Sequence, residues 1–105
     1  MARERILLVD NDLHNLSRIY LALIHRNYKV EACDKGDDIR VRIKRFKPVV
    51  VILNSDNYNT IRDRLKIPAI VLVEKTETVQ LNDGDMQLKK PVQVNILVRT
   101  VEKLV

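Results

Sequence analysis

The chain has 105 residues, 46% hydrophobic and 31% charged, with a formal net charge of +5. That balance suits one domain, 1–105, and excludes an intrinsically disordered chain. No apolar run approaches the roughly 18–20 residues of a membrane span, and no signal-peptide pattern precedes the first apolar run. The single cysteine, Cys33, excludes an internal disulfide and fits a reducing cytoplasm, where we expect the protein.

Ile6-Leu7-Leu8-Val9 is a continuous apolar run ending at Asp10-Asn11-Asp12, and it predicts a buried strand with polar residues at its carboxyl end. Leu13, Leu16, Ile19, Tyr20, Leu23 and Ile24 then recur at spacings of three and four, which predicts an amphipathic helix. Asp12 is its expected N-cap and Asn27 its expected stop. Tyr28 to Cys33 alternates and reads as an edge or half-buried strand. Asp34-Lys35-Gly36-Asp37 reads as a turn, followed by a helix from about Asp37 to Phe46 with Ile39, Ile43 and Phe46 inward.

Pro48-Val49-Val50-Val51-Ile52-Leu53 is the most strand-like stretch, and Asn54-Ser55-Asp56 closes it. A strand apolar on both faces belongs in a parallel sheet between helices. In such sheets ligands gather at the carboxyl ends of the strands, so Asn54 is the position to watch. Tyr58 to Lys66 predicts a short charged helical segment, and Ala69-Ile70-Val71-Leu72-Val73 a further buried strand. The polar stretch from Glu74 to Gly84 holds at most one or two helical turns. Met86-Gln87-Leu88 is a short last strand, and Val94, Leu97, Val98, Val101, Leu104 and Val105 mark the final helix. This β-α alternation predicts a five-stranded parallel sheet with helices on both faces.

Four landmarks together resemble the receiver domain of two-component response regulators, a CheY-like, flavodoxin-like fold. They are Ile6 to Asp10, Pro48 to Asn54, Ile67-Pro68-Ala69-Ile70 and Lys90-Pro91. The resemblance implies strand order 2-1-3-4-5, the first and last helices on one face, shortened third and fourth helices, and a cis Lys90–Pro91 peptide. It also implies a site: an acid pair after the first strand holding Mg²⁺, a phosphoacceptor Asp after the third, a Thr or Ser after the fourth, and the Lys of Lys-Pro.

At most of those positions this chain differs. Asp10 is present, but the second acid falls on Asn11, with Asp12 displaced by one residue. The phosphoacceptor position falls on Asn54, the Thr/Ser position on Val73, and the switch aromatic on Gln87. An amide cannot be the nucleophile of aspartyl-phosphate chemistry, and valine has no hydroxyl. We therefore expect a pseudo-receiver with no catalytic residue and no cofactor. Asp10, Asn11, Asp12, Asn54 and Lys90 would be a remnant acidic pocket in which Asp10 pairs with Lys90. Asp10 and Asp12, with Asn54, are the set that could take Mg²⁺ or Ca²⁺. Asp56 is the candidate for a slipped acceptor. Cys33 reads as apolar filler, and His14 and His25 as surface residues without metal-ligand spacing.

Basic residues crowd the second and third helices. Arg40, Arg42, Lys44, Arg45, Arg62 and Arg64 make a solvated charged face or a docking surface for an acidic protein or nucleic acid. No helix-turn-helix pattern and no stacking aromatics accompany them, which argues against nucleic acid as the partner of this domain. The functional expectation is a non-enzymatic signalling module that binds protein: a signalling protein, a histidine kinase or a fused output domain. No membrane partner is expected, and homodimerisation stays open. The alternatives are a receiver phosphorylated at a displaced Asp, and a small α/β domain binding an anion near Lys90. No glycine-rich phosphate loop is present, since Gly36 and Gly84 are the only glycines.

Overall fold

The computed structural model describes residues 3–33 and 38–105, so the expected turn at 34–37 lies outside the described residues. Strands β1 (Arg5–Val9), β2 (Lys29–Cys33), β3 (Val50–Asn54), β4 (Ala69–Val73) and β5 (Met86–Lys89) form one sheet in the order 2-1-3-4-5. Every pairing is parallel. The helices among the described residues are α1 (Leu13–His25), α2 (Ile39–Phe46), α3 (Ser55–Ile61) and α4 (Val94–Leu104). The Lys90–Pro91 peptide is cis.

Alternation along the three central strands divides the core into two layers. Ile6 and Leu8, Val50 and Ile52, and Ile70 and Leu72 pack with Ile19 and Leu23 of α1 and Leu97, Val98 and Val101 of α4. Leu7 and Val9, Val51 and Leu53, and Val71 and Val73 pack with Ile39 of α2 and Tyr58 and Ile61 of α3. Both faces are covered, and this is why the central strands read as unbroken apolar runs. The stripe on α1 is narrower than its spacing suggests. Leu13 is 72% exposed and Ile24 lies at the edge of the buried face, while Ile19 and Leu23 are fully buried.

Local chemistry sets the helix ends. Asp12 caps α1 by accepting from the His14 and Asn15 amides. Asn27, just past its end, has φ 70, a left-handed conformation that asparagine tolerates well. Asp38 caps α2 through the Arg40 amide. The third helix differs from the sequence expectation. It starts at once after β3, at Ser55, because the Asn54 side chain accepts from the Asn57 amide and serves as its N-cap. It is over by Ile61, and a single 3₁₀ turn, Arg62–Arg64, follows.

Between β4 and β5 there is no helix at all among residues 74–85. A polar network holds this segment instead. The Tyr58 hydroxyl donates to Asp85 Oδ2 (2.6 Å) and accepts from the Asn82 amide (2.8 Å). Asp85 Oδ1 takes the Ala69 amide (2.9 Å), so one carboxylate ties the loop to both α3 and the start of β4. Arg62 donates to the Gln80 carbonyl and Asn82 to the Arg62 carbonyl. Val79 and Leu81 supply the apolar cover a helix would otherwise give to this part of the sheet. No helix among the described residues is long and apolar enough to cross a membrane.

Candidate functional site

The carboxyl ends of β1, β3 and β4, with the residue after β5, bring Asp10, Asn54, Val73 and Lys90 to one end of the sheet. Asp10 follows β1 and is only 1% exposed. Its Oδ1 accepts from the Asp12 amide (3.0 Å) and its Oδ2 from Asn15 Nδ2 (2.6 Å). A buried carboxylate needs such donors, because an unpaired charge in the interior is costly. The expected Asp10–Lys90 pair is not formed: Lys90 Nζ lies 3.6 Å from Glu74 Oε1 instead. Asn15, unremarked in the sequence, takes the part assigned to the lysine. Its position on the first turn of α1, five residues after Asp10, places its amide over the strand end.

Asn54 closes β3 and is committed to capping α3. Asp56 sits exposed in the first turn of that helix. Val73 ends β4 fully buried among apolar side chains. Gln87 lies exposed on the edge strand β5, in register with Val71. Asn11 is exposed in the turn after β1. Thus the structure collects Asp10, Asn54 and Lys90 at one end but gives each a different partner.

Ser55 and Glu77 are a pair that the sequence did not single out. The Ser55 hydroxyl donates to Glu77 Oε2 (2.6 Å) and the Glu74 amide to Glu77 Oε1 (3.1 Å). These hydrogen bonds, that from Ser55 foremost, hold the Glu77 carboxyl below the usual carboxylate range, with Lys90 and Lys89 nearby adding to the effect. Lys89 Nζ also donates to the Glu77 carbonyl (2.9 Å). Their separation of 22 residues, with Ser55 at the start of α3 and Glu77 in the segment between β4 and β5, leaves no periodic signal to read.

Beside this end lies a cleft of about 540 Å³ lined by Asp12, His14, Asn15, Arg18, Glu74, Lys75, Thr76, Lys90, Pro91 and Val92. Three full positive charges and two negative ones face it, and of the expected remnant pocket only Asp12 and Lys90 line it. Mg²⁺ takes about six oxygen ligands, one or two carboxylates among them. Here both Asp10 oxygens, Asp12 Oδ1 and Asn54 Oδ1 already accept hydrogen bonds from the chain. No group of three acidic, histidine or cysteine side chains gathers among the described residues. The donor set does not fit the divalent cation that the resemblance implies.

The strand order and the division of the helices between the two faces reproduce an architecture found in solved structures. The chain carries the receiver fold. A response regulator signal receiver domain from Bermanella marisrubri superposes with TM-score 0.74 at 21% identity, covering 95% of this chain and 96% of that one. A response regulator from Desulfuromonas acetoxidans gives TM-score 0.79 at 20% identity, covering 96% and 95%. NtrX from Brucella abortus gives 0.76 at 16% identity, covering 99% of this chain and 26% of the longer one. No family model and no curated protein sequence matches the chain.

The basic residues of α2 and the 3₁₀ turn, Arg62 apart, divide between two places. Arg42 pairs with Glu31, and Arg45 lines a shallow depression with them beside the edge strand β2. Arg62 turns to Asp63 and the Gln80 carbonyl. Arg40, Lys44 and Arg64 face a separate groove between α2 and residues 61–67, together with Lys66. The expected docking surface is therefore two surfaces.

Proposed function

We propose that this chain is a receiver-type signalling module of a two-component system that works through protein contact without aspartyl phosphorylation. The observation that carries this reading is Asn54. It ends β3, where the receiver fold would carry its acceptor, and its amide oxygen is spent on capping α3. The neighbouring positions point the same way. Val73 offers no hydroxyl to a phosphoryl group, and Lys90 is turned to Glu74. Phosphoryl transfer needs a carboxylate nucleophile at the acceptor position, which an amide occupies here, and a cation turned to it, whereas Lys90 is paired with Glu74.

In this reading the module has no catalytic residue and no cofactor. Its partner is a protein: a signalling protein, a histidine kinase or an output domain. Its output comes from a fixed surface, consistent with the hydrogen bonds that tie the loop 74–85 to α3 and the start of β4.

The test is intact-mass measurement after incubation with Mg²⁺ and acetyl phosphate, beside an amide NMR titration with beryllofluoride. The expected result is no gain of a phosphoryl mass and no shift at Asp10–Asp12, Asn54–Asp56 or Lys90. A mass gain lost on Asp56→Asn would establish a displaced acceptor and end this reading. A second reading, an anion-binding α/β domain, is favoured by the cleft that collects Arg18, Lys75 and Lys90. Saturable shifts of those residues with inorganic phosphate alone would select it.

A further inference from the structure

Between α2 and residues 61–67 lies a groove of about 470 Å³, away from Asn54 and Lys90 and beside the start of β4. Its floor is apolar, made by Ile43, Ile61, Leu65 and Ile67, and its rim is basic, made by Arg40, Lys44, Arg64 and Lys66. Ile43, Leu65 and Ile67 are only partly buried, so apolar surface faces solvent along its length. Arg40, Ile43 and Lys44 share one face of α2, since residues three and four apart are neighbours on a helix.

The charge is one-sided. No acid lines the groove, and all four rim cations are exposed. Arg40 has one acid within reach, Asp38 at 3.7 Å; Lys44, Arg64 and Lys66 form no ion pair among the described residues. Beyond Arg40 and Ile61 the groove runs on into a smaller, polar cleft lined by Asp38, Asn57 and Thr60. The positive charge is thus concentrated at the end near β4.

An apolar floor between cations selects its ligand. A nucleic acid would satisfy the rim but bring no aliphatic side chains to the isoleucines, and no aromatic side chain lines the groove to stack a base. A helix with apolar residues at spacings of three and four and carboxylates on its flanks satisfies both. Groove recognition of amphipathic helices uses anchors at that spacing. We propose that this groove docks an acidic amphipathic helix of a partner protein. Its apolar residues rest on Ile43, Leu65 and Ile67, and its carboxylates meet Arg40, Lys44, Arg64 and Lys66. The assignment rests on the interaction-module reading above, names the chemistry of its partner, and leaves the Asp10–Asn54–Lys90 end of the sheet uncovered.

The test titrates the ¹⁵N-labelled chain with a blocked peptide of Glu and Leu whose leucines recur at three- and four-residue spacing. A matched peptide with Lys for every Glu is the control. We expect saturable amide shifts confined to residues 39–47 and 61–67 with the Glu peptide, weakened by salt, and none with the Lys peptide. The double variant Lys44→Glu/Arg64→Glu, whose sites are exposed and whose fold the same spectra report, should weaken binding about tenfold or more, because attraction becomes repulsion. Absence of shifts in the groove overturns the assignment, as does equal binding of the Lys peptide. Groove shifts that follow protein concentration without peptide would assign a second copy instead. Shifts with vesicles of phosphatidylglycerol in phosphatidylcholine, but not with the peptide, would assign a lipid surface. No phosphoryl donor is used, so the outcomes separate cleanly. A failed titration with unchanged mass refutes the groove alone, and a gain in mass refutes the phosphorylation-independent reading alone.

Discussion

Replacing Tyr58 with Phe is the most informative test of how the β4–β5 segment is held. The ring stays in the core, where Tyr58 is fully buried, and only the hydroxyl is lost. That hydroxyl donates to Asp85 Oδ2 at 2.6 Å and accepts from the Asn82 amide at 2.8 Å. A hydrogen bond to a charged group contributes about 1.5–3 kcal/mol and a neutral one about 0.5–1.5. Part of each is recovered by water at the partly buried loop, so we expect a net loss of about 2–3 kcal/mol. A domain of this size loses on the order of 4–8 °C of Tm per kcal/mol, so melting should fall by roughly 10–20 °C. Urea unfolding followed by circular dichroism gives the stability, and native-state hydrogen exchange gives its location. Protection should fall most at residues 79–85, because Asp85 keeps only the Ala69 amide. A loss below about 0.5 kcal/mol with unchanged exchange at Asn82 would refute the argument, since it would lie within the range of an inert surface change.

Asp12→Ala removes the acceptor for the His14 and Asn15 amides and should cost about 1 kcal/mol, read as a lower urea midpoint at constant slope. Asn54→Asp keeps a side chain suited to capping α3 and should leave stability within about 0.5 kcal/mol. It should still give no phosphoryl mass gain with acetyl phosphate, because Val73 and the Glu74-paired Lys90 are unchanged. Leu97→Ala opens a fully buried site under α4 and should cost about 2–5 kcal/mol by the same unfolding assay. The Arg3–Glu102 pair carries a pH dependence. Two hydrogen bonds, at 2.9 and 2.7 Å, from the Arg3 guanidinium hold the Glu102 carboxyl down at about 2. A depressed folded value means that this contribution is full above the ordinary glutamate range and is lost as pH falls through about 2. The difference in urea midpoint between the parent and Glu102→Gln should therefore be constant near neutrality and vanish towards pH 2. Burial pushes the neighbouring Tyr28 phenol up to about 12. Its contribution is full below the ordinary tyrosine value and is lost as pH rises through about 12.

The strands were legible because a parallel sheet covered on both faces demands apolar residues at every position, and Ile6–Val9, Val50–Leu53 and Ala69–Val73 show that demand directly. The two long helices were legible from their spacing, and Asp12 and Asn27 marked the ends of α1. The third helix starts earlier than the spacing predicts, because Asn54-Ser55-Asp56 reads as the end of a strand whereas one asparagine side chain both ends β3 and caps α3. The apolar content of Val79 and Leu81 lacked any period, so nothing local showed that they would cover the sheet.

Composition, periodicity and the order of strand-end residues thus determined the five strands, their parallel pairing and the identities of Asp10, Asn54, Val73 and Lys90. These depend on burial and backbone preference, which are properties of each segment. Only the tertiary structure decided who meets whom. Asp10 meets Asn15 rather than Lys90, Lys90 meets Glu74, Tyr58 meets Asp85 across 27 residues, and the basic face divides about α2 into an edge patch and an apolar groove. A hydrogen bond or ion pair depends on the relative placement of two segments to within an ångström, and no single segment carries that information.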